Sequence, residues 1–214
     1  MRTVPAGDRA LVLELGTHVD VATHDKVMAY YAHLQDHHLP GVEELVPTYR
    51  SLLVYYEPSE TDYHQLAEQL RELVVQEKKH TGNTIEVPVK YGGAEGPDLE
   101  DVAAYAQLAP DDVIQLHALP LYRVYMVGFA PGFPYLGGLD PRLFAPRLRR
   151  PRTVIPAGSV AIGGEQTGIY PIQGPGGWRI IGRTELALFD PERVPPARVQ
   201  AGDNIRFVPL GGAR

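Results

Sequence analysis

Eighteen of the chain's 22 glycines and 15 of its 20 prolines lie after Lys90. Glycine raises the entropic cost of any regular element and proline removes a backbone donor, so a stretch this rich in both cannot sustain long helices. It has to be built from short segments divided by turns. Charge shifts at the same place. Residues 1–90 carry 14 Asp/Glu against 8 Lys/Arg, whereas residues 91–214 carry 12 of each. The last of the four lysines is Lys90, and all eight histidines lie at or before His117. Two domains of different architecture are expected, 1–84 and 85–214, with the boundary near Ile85.

The first part reads as alternating strands and helices. Arg9 to Leu15 is apolar enough for a strand. From Thr23 to about His37, Val27, Tyr31 and Leu34 recur at helical spacing with Met28 beside them, and Pro40-Gly41 ends the helix. Val42 to Val46 and Ser51 to Tyr56 are strands joined through Pro47. Ser59 or Thr61 can cap a second helix, whose apolar stripe is Tyr63, Leu66, Leu70, Leu73 and Val74. A further strand at Thr84 to Lys90 completes a split βαβ order of the ferredoxin-like kind, unless that strand opens the second domain instead.

In the second part, Asp98 to Gln107 is a short helix with Leu99, Val102, Ala103 and Ala106 on one face. Pro110 suits the first turn of another, which ends near His117. Short strands follow at Leu121 to Phe129, Ser159 to Ile162, Trp178 to Ile181, Glu185 to Phe189 and Ile205 to Pro209. Many short strands with turn signals between them point to a barrel or a sandwich. The fold class is therefore α+β.

Composition excludes several functions. The chain has no cysteine, hence no disulfide, thiolate nucleophile or cysteine-bound zinc. A net charge of −6 argues against nucleic acid as a partner. No apolar run reaches membrane-spanning length, and Met1 to Leu15 reads as a folded strand rather than a signal peptide, so a cytoplasmic protein is expected. No metal site is evident. His37-His38 closes a helix and has no third ligand spaced with it.

Three glycine- and proline-rich blocks carry the candidate chemistry: residues 128–138, 156–171 and 175–184. Phe129, Phe133, Tyr135, Tyr170 and Trp178 can wall a pocket. Gly132 and its neighbours allow close approach of a ligand to the main chain, and backbone amides there can hold an anion. The alternative is that glycines turn barrel corners while the aromatics fill a core. Arg152, Arg179 and Arg183 suit carboxylate or phosphate, unless each pairs with a nearby carboxylate. Ser159, Gln166 and Thr167 can bind substrate. Glu165 can act as acid or base if burial raises its pKa. His117 is the one histidine available for a triad, but on the face of Val113 and Ile114 it can equally be a packed core residue. There is no phosphate loop with a lysine.

The blocks GFAPGFPYLGGLDPRL, PAGSVAIGGEQTGIYP and PGGWRIIGRT closely resemble the family of 5-oxoprolinase B subunits, also called allophanate hydrolase subunit 1 or kinase-inhibitor KipI. Tyr91-Gly92-Gly93, Gly96 to Glu100, Leu116-His117, Leu188 to Pro191 and Gly202-Asp203 extend the resemblance over almost the whole chain. It implies an N-terminal α/β domain and a C-terminal cyclophilin-like β-barrel. It also implies partners, the C and A subunits, in a complex that opens 5-oxoproline to L-glutamate with ATP. The chain would be inactive alone. Rival implications within the family are an inhibitor of a sensor histidine kinase and a component of urea carboxylase or allophanate hydrolase type.

Overall fold

Alternation of apolar residues builds the first sheet. The computed structural model describes residues 1–76 and 81–211, and the chain divides at Thr81–Gly82 into two units. The first runs β1 (Arg2–Pro5), β2 (Ala10–Glu14), α1 (Val21–Asp36), β3 (Val42–Pro47), β4 (Ser51–Tyr56) and α2 (Tyr63–Glu72). Its four strands form one antiparallel sheet in the order β1-β2-β4-β3. Leu11 and Leu13 of β2 and Leu52, Val54 and Tyr56 of β4 share a core with Leu34 of α1 and Leu66 and Leu70 of α2. Alternate residues of a strand face the same side, so one face of the sheet meets both helices. Each of the fully buried leucines contributes roughly 1.5–3 kcal/mol.

Both helices start at an aspartate. The Asp20 carboxylate accepts from Thr23 N at 2.7 Å, and Asp62 accepts from His64 N at 2.7 Å and Gln65 N at 2.9 Å. Such caps satisfy amides that have no partner within the helix. Asp62 therefore caps α2 in place of the expected Ser59 or Thr61. Ser59 Oγ is held by Glu57 Oε1 at 3.0 Å, and Thr61 is buried against Gly41. The helix stops at Glu72, which leaves Val74 89% exposed rather than in the apolar stripe.

The expected ferredoxin-like order takes its fourth strand from beyond α2. The structure fills that edge with β1 instead, from the N-terminal hairpin, and sends the strand after α2 into the second unit. That unit runs β5 (Thr84–Tyr91), α3 (Leu99–Ala106), α4 (Pro110–Ala118), β6 (Tyr122–Val127), β7 (Pro134–Gly137), β8 (Arg152–Ile155), β9 (Ser159–Gly163), β10 (Gln166–Ile169), β11 (Gly174–Gly176), β12 (Arg179–Arg183) and β13 (Asn204–Pro209). Seven strands close a barrel in the order β10-β7-β6-β13-β5-β12-β9, while β8 and β11 pair apart from it. β5 and β13 run parallel over six residue pairs, and the other barrel pairings are antiparallel. A core containing Val87, Tyr122, Leu136, Ile162, Ile181 and Phe207 also takes in Leu99 and Val102 of α3 and Val113 of α4. Pro110 sits in the first turn of α4, and Gln107, at φ 55, ends α3 in the left-handed region.

Glu185 to Phe189 is not a strand. Thr184 Oγ1 accepts from Leu186 N at 3.1 Å and turns the chain out of β12, and only Phe189 forms a bridge, to Ala197. Leu188, 1% exposed, anchors this loop in the core. Among the described residues no helix is long and apolar enough to cross a membrane, and no cluster of His, Asp and Glu has the form of a metal site.

Candidate functional site

The site begins at a turn that side-chain-bearing residues avoid. Beyond β6, Ala130 N–H donates to Gly128 O at 2.8 Å, and Phe129 between them has φ 68. A bulky residue in that region costs on the order of 1–3 kcal/mol, and such strain recurs at ligand sites. Gly128 N to Phe133 O and Phe133 N to Ala130 O, both 3.0 Å, lock the turn. The Phe129 ring is left 67% exposed, edge-on to Phe133 at 5.5 Å and to Tyr170 at 6.5 Å. Gly132, at φ 79, turns the chain back into β7. A Cβ there would meet Phe189 Cβ at 3.0 Å and Leu188 O at 3.2 Å.

Around this turn the three blocks meet. A cavity of about 110 Å³ is walled by Phe129, Phe133 and Tyr135 from the first block, Tyr170 from the second, and Gly176, Gly177 and Trp178 from the third. Phe133 is edge-on to both Tyr170 (5.2 Å) and Trp178 (5.6 Å), and Tyr135 is edge-on to Trp178 (6.1 Å). These are the arrangements that ring quadrupoles favour. The glycines create the space. A Cβ on Gly163 would lie 2.5 Å from the Trp178 ring, and one on Gly168 would lie 3.0 Å from Phe133 Cζ and 3.1 Å from Trp178 Cζ3. A Cβ on Gly176 would collide with the Tyr170 hydroxyl. The aromatics are thus both wall and local core.

The eighth lining residue is Arg147, whose guanidinium carbon lies 5.7 Å from the centre of the Trp178 ring. It is exposed, and among the described residues no carboxylate pairs with it. Tyr170 takes the Trp178 backbone N–H on its hydroxyl oxygen. Burial raises its pKa above the usual phenol value, against the lowering effects of that bond and of Arg147. Burial likewise raises Tyr135, again opposed by Arg147. Both phenols are neutral donors at pH 7, so Arg147 is the charge in the pocket.

The arginines singled out by sequence are placed differently. Arg152 grips Asp98 with two parallel bonds of 2.8 and 2.7 Å, and Asp98 Oδ2 also accepts from Ile180 N at 2.7 Å. Arg179 donates to Pro146 O (2.9 Å), Asp101 Oδ2 (2.8 Å) and the Tyr105 hydroxyl (3.2 Å). Arg183 donates to Ala157 O (3.0 Å), with Glu95 at 3.5 Å. Each therefore works within the chain, and none lines the cavity. Ser159 Oγ donates to Pro156 O at 2.8 Å and holds a turn. Gln166, half-buried, sits opposite Gly163 at the end of the β9–β10 hairpin, and Glu165 is exposed at its tip, not in the buried setting on which an acid or base role depends.

His117 is sealed inside the barrel. Thr167 Oγ1 donates to Ala161 O at 3.1 Å and so accepts from His117 Nε2 at 2.8 Å, leaving Nδ1 to accept from the Tyr91 hydroxyl at 2.8 Å. The rings of Phe207 and Tyr122 lie at 4.5 and 5.5 Å, and the Tyr122 hydroxyl donates to His117 O. Burial pushes the His117 pKa down to about 3. The geometry is that of a packed, neutral histidine. A larger cavity of about 420 Å³, lined by Tyr91, Asp111, Ile114, Gln115 and Pro209 to Gly211, draws on none of the three blocks.

Sequence reasoning thus finds the aromatic walls and misses the cation. Arg147 belongs to the basic run Arg147 to Arg152, which reads as exposed loop. The available signal is that this run adjoins the second block without an acidic residue among its neighbours.

A closed barrel whose wall carries an aromatic pocket, joined to a four-stranded sheet unit, defines the class. Residues 1–199 match the family described as carboxyltransferase domain, subdomain C and D, and the chain belongs to it. The proteins from Bacillus subtilis and Haemophilus influenzae that are named as the B subunit of 5-oxoprolinase are each 43% identical to it. The match covers 94% of this chain and 90% of the first, and 99% of both chains for the second. The crystal structure of TTHA0988 superposes with a TM-score of 0.84 at 36% identity, over 96% of this chain but 40% of that one. This chain thus spans about two fifths of that protein. A conserved uncharacterized protein from Pyrococcus horikoshii is 45% identical over 98% of this chain and 97% of its own, with a TM-score of 0.59. The Kluyveromyces lactis urea carboxylase, at 22% identity, TM-score 0.77, 97% of this chain and 21% of its own, shares the fold alone.

Proposed function

We propose that this chain is the B subunit of a 5-oxoprolinase, part of a hydrolase complex that opens 5-oxo-L-proline to L-glutamate with ATP, alongside homologues of the A and C subunits. One observation carries the reading. The three blocks that mark the family, far apart in sequence, line one pocket in a chain 43% identical to proteins of that name. ATP would supply a phosphoryl group to the lactam carbonyl oxygen, making a resonance-stabilised amide open to water. This chain's own contribution is binding and orientation. A drug-sized ligand needs a cavity of roughly 300–1,000 Å³, and the aromatic pocket offers about 110 Å³. It suits a small ring rather than a nucleotide. There is also no lysine after Lys90 to serve a phosphate loop. The aromatic pocket is therefore not the ATP site, and without a lysine-bearing phosphate loop the chain is expected to be inactive alone. Backbone amides of the glycine loops can steady developing oxyanion charge. A kinase-inhibitor role would rest on a flat apolar surface, and a concave pocket holding a cation argues against it.

The test is reconstitution with homologues of the A and C subunits and measurement of ATP-dependent glutamate release. Glutamate should form only when all components are present. Undiminished release without this chain, or full activity from this chain by itself, would reject the proposal.

A further inference from the structure

We propose that Arg147 is the carboxylate-binding residue of the aromatic pocket and selects a small cyclic monoanion, 5-oxo-L-proline on the reading above, on which this inference rests. Arg152 and Arg179 are engaged by Asp98, Asp101 and Pro146 O, Arg183 donates to Ala157 O, and none of the three lines the cavity. The Arg147 guanidinium lies over Trp178 at the edge of the cavity, with no carboxylate partner among the described residues. A guanidinium held over an indole by a cation–π contact spends no N–H group on it, so the fork can still make bidentate contact with a carboxylate. The remaining walls, Phe129, Phe133, Tyr135, Tyr170 and Trp178, are neutral. One cation in a small apolar enclosure matches one negative charge on a compact ring. It does not match the several charges and larger volume of a nucleotide.

Trp178 is the chain's single tryptophan, so its fluorescence reads this pocket directly. The full chain, alone and in the reconstituted complex, would be titrated with 5-oxo-L-proline and with 2-pyrrolidone, the same ring without the carboxylate. A saturable change is expected with 5-oxo-L-proline, and binding of 2-pyrrolidone should be at least about tenfold weaker. Arg147→Met should weaken 5-oxo-L-proline roughly ten- to a hundredfold and leave 2-pyrrolidone unmoved, with Arg147→Lys intermediate. In the complex, Arg147→Met should raise KM for 5-oxo-L-proline more than it lowers kcat. An unchanged thermal melt would show that the variants fold. The proposal is overturned if the parent shows no saturable change in either state, or if Arg147→Met binds within twofold of it. A complex that releases glutamate regardless of Arg147 removes this inference and leaves the 5-oxoprolinase reading standing. An inactive complex whose Trp178 still reports Arg147-dependent carboxylate binding removes the enzymatic reading and retains the assignment of Arg147.

Discussion

The barrel holds two aromatic clusters with opposite hydrogen-bond economies. Around His117, the rings of Tyr91, Tyr122 and Phe207 enclose a chain of polar atoms in which every donor has an acceptor, ending on the backbone at Ala161 O and His117 O. Around Trp178, the rings of Phe133, Tyr135 and Tyr170 are packed as closely, yet the cluster opens to a cavity with an unpaired guanidinium at its edge. Satisfied buried networks rigidify a fold. Unused donors at a cavity are what a ligand can take up. Burial of a histidine is therefore a poor guide to function in this barrel, and residual hydrogen-bonding capacity is a better one.

The largest effect that sharpens this contrast is expected at Asp98, 4% exposed. Asp98→Ala removes both acceptors of the Arg152 fork and the acceptor of Ile180 N. Breaking a buried pair by deleting one partner costs about 3–5 kcal/mol, and the 31% exposure of the Arg152 side chain places this case near the lower end, about 3 kcal/mol. Urea denaturation of the parent, Asp98→Ala and Arg147→Met would measure it. Arg147→Met should fall within about 0.5 kcal/mol of the parent, as expected for an exposed cation with no carboxylate partner. Equal losses at the two positions would erase the distinction between engaged and free arginines.

Much of this is legible in the sequence, for reasons that differ between the two units. In the first, Leu11, Leu13, Leu52 and Val54 alternate and Leu66 and Leu70 repeat at helical spacing, so periodicity locates nearly every element. The edge strand Arg2–Pro5 is short and lies close before the next strand, and nothing local reveals that it, not Thr84–Tyr91, completes the sheet. In the second unit, β7, β8, β10 and β11 are strands of three or four residues, most of them within the glycine-rich blocks. Glycines erase the alternating pattern because the space beside them is filled by side chains from elsewhere, Trp178 beside Gly163 and Tyr170 beside Gly176. The aromatic walls can be named from the blocks. Which arginine is free cannot, because that depends on Asp98 and Asp101, remote in sequence from Arg152 and Arg179.

The second effect is pH dependence from the sealed cluster. His117 has a folded pKa of about 3 against an ordinary value of 6.5. Between those values the unfolded chain binds a proton that the folded chain does not, so stability rises with pH. The contribution is complete above pH 6.5 and is lost as pH falls toward 3. Going from about pH 7 to about pH 4.5 should remove about 2–3 kcal/mol through this residue. His117→Gln, compared with the parent by urea denaturation at both pH values, isolates it from the carboxylates and the other histidines. The variant should be less stable at neutral pH and should lose less on acidification. A parent and variant with parallel pH profiles would mean that His117 is protonated in the fold, and the contrast between a closed and an open cluster would break.

The smallest of the three effects tests whether glycine makes the open cluster. In β9, Gly163 has ordinary strand geometry, so alanine meets no backbone penalty. The Cβ would nevertheless lie 2.5–2.6 Å from three atoms of the Trp178 ring. Ring and strand must separate by about 1 Å to regain ordinary contact, and overpacking of this kind costs about 1–3 kcal/mol. Because Trp178 borders an open cavity rather than a closed core, the ring can shift into that space, so about 1–2 kcal/mol is expected. Relief by that route narrows the pocket. Gly163→Ala should therefore alter the Trp178 emission spectrum and weaken the binding of a small carboxylate by more than its modest loss of stability would suggest. Denaturation and fluorescence on the same samples would measure both. An alanine variant with unchanged emission and ligand affinity would show that the ring position does not depend on the missing side chain, and that Gly163 of β9 serves only the closure of the barrel.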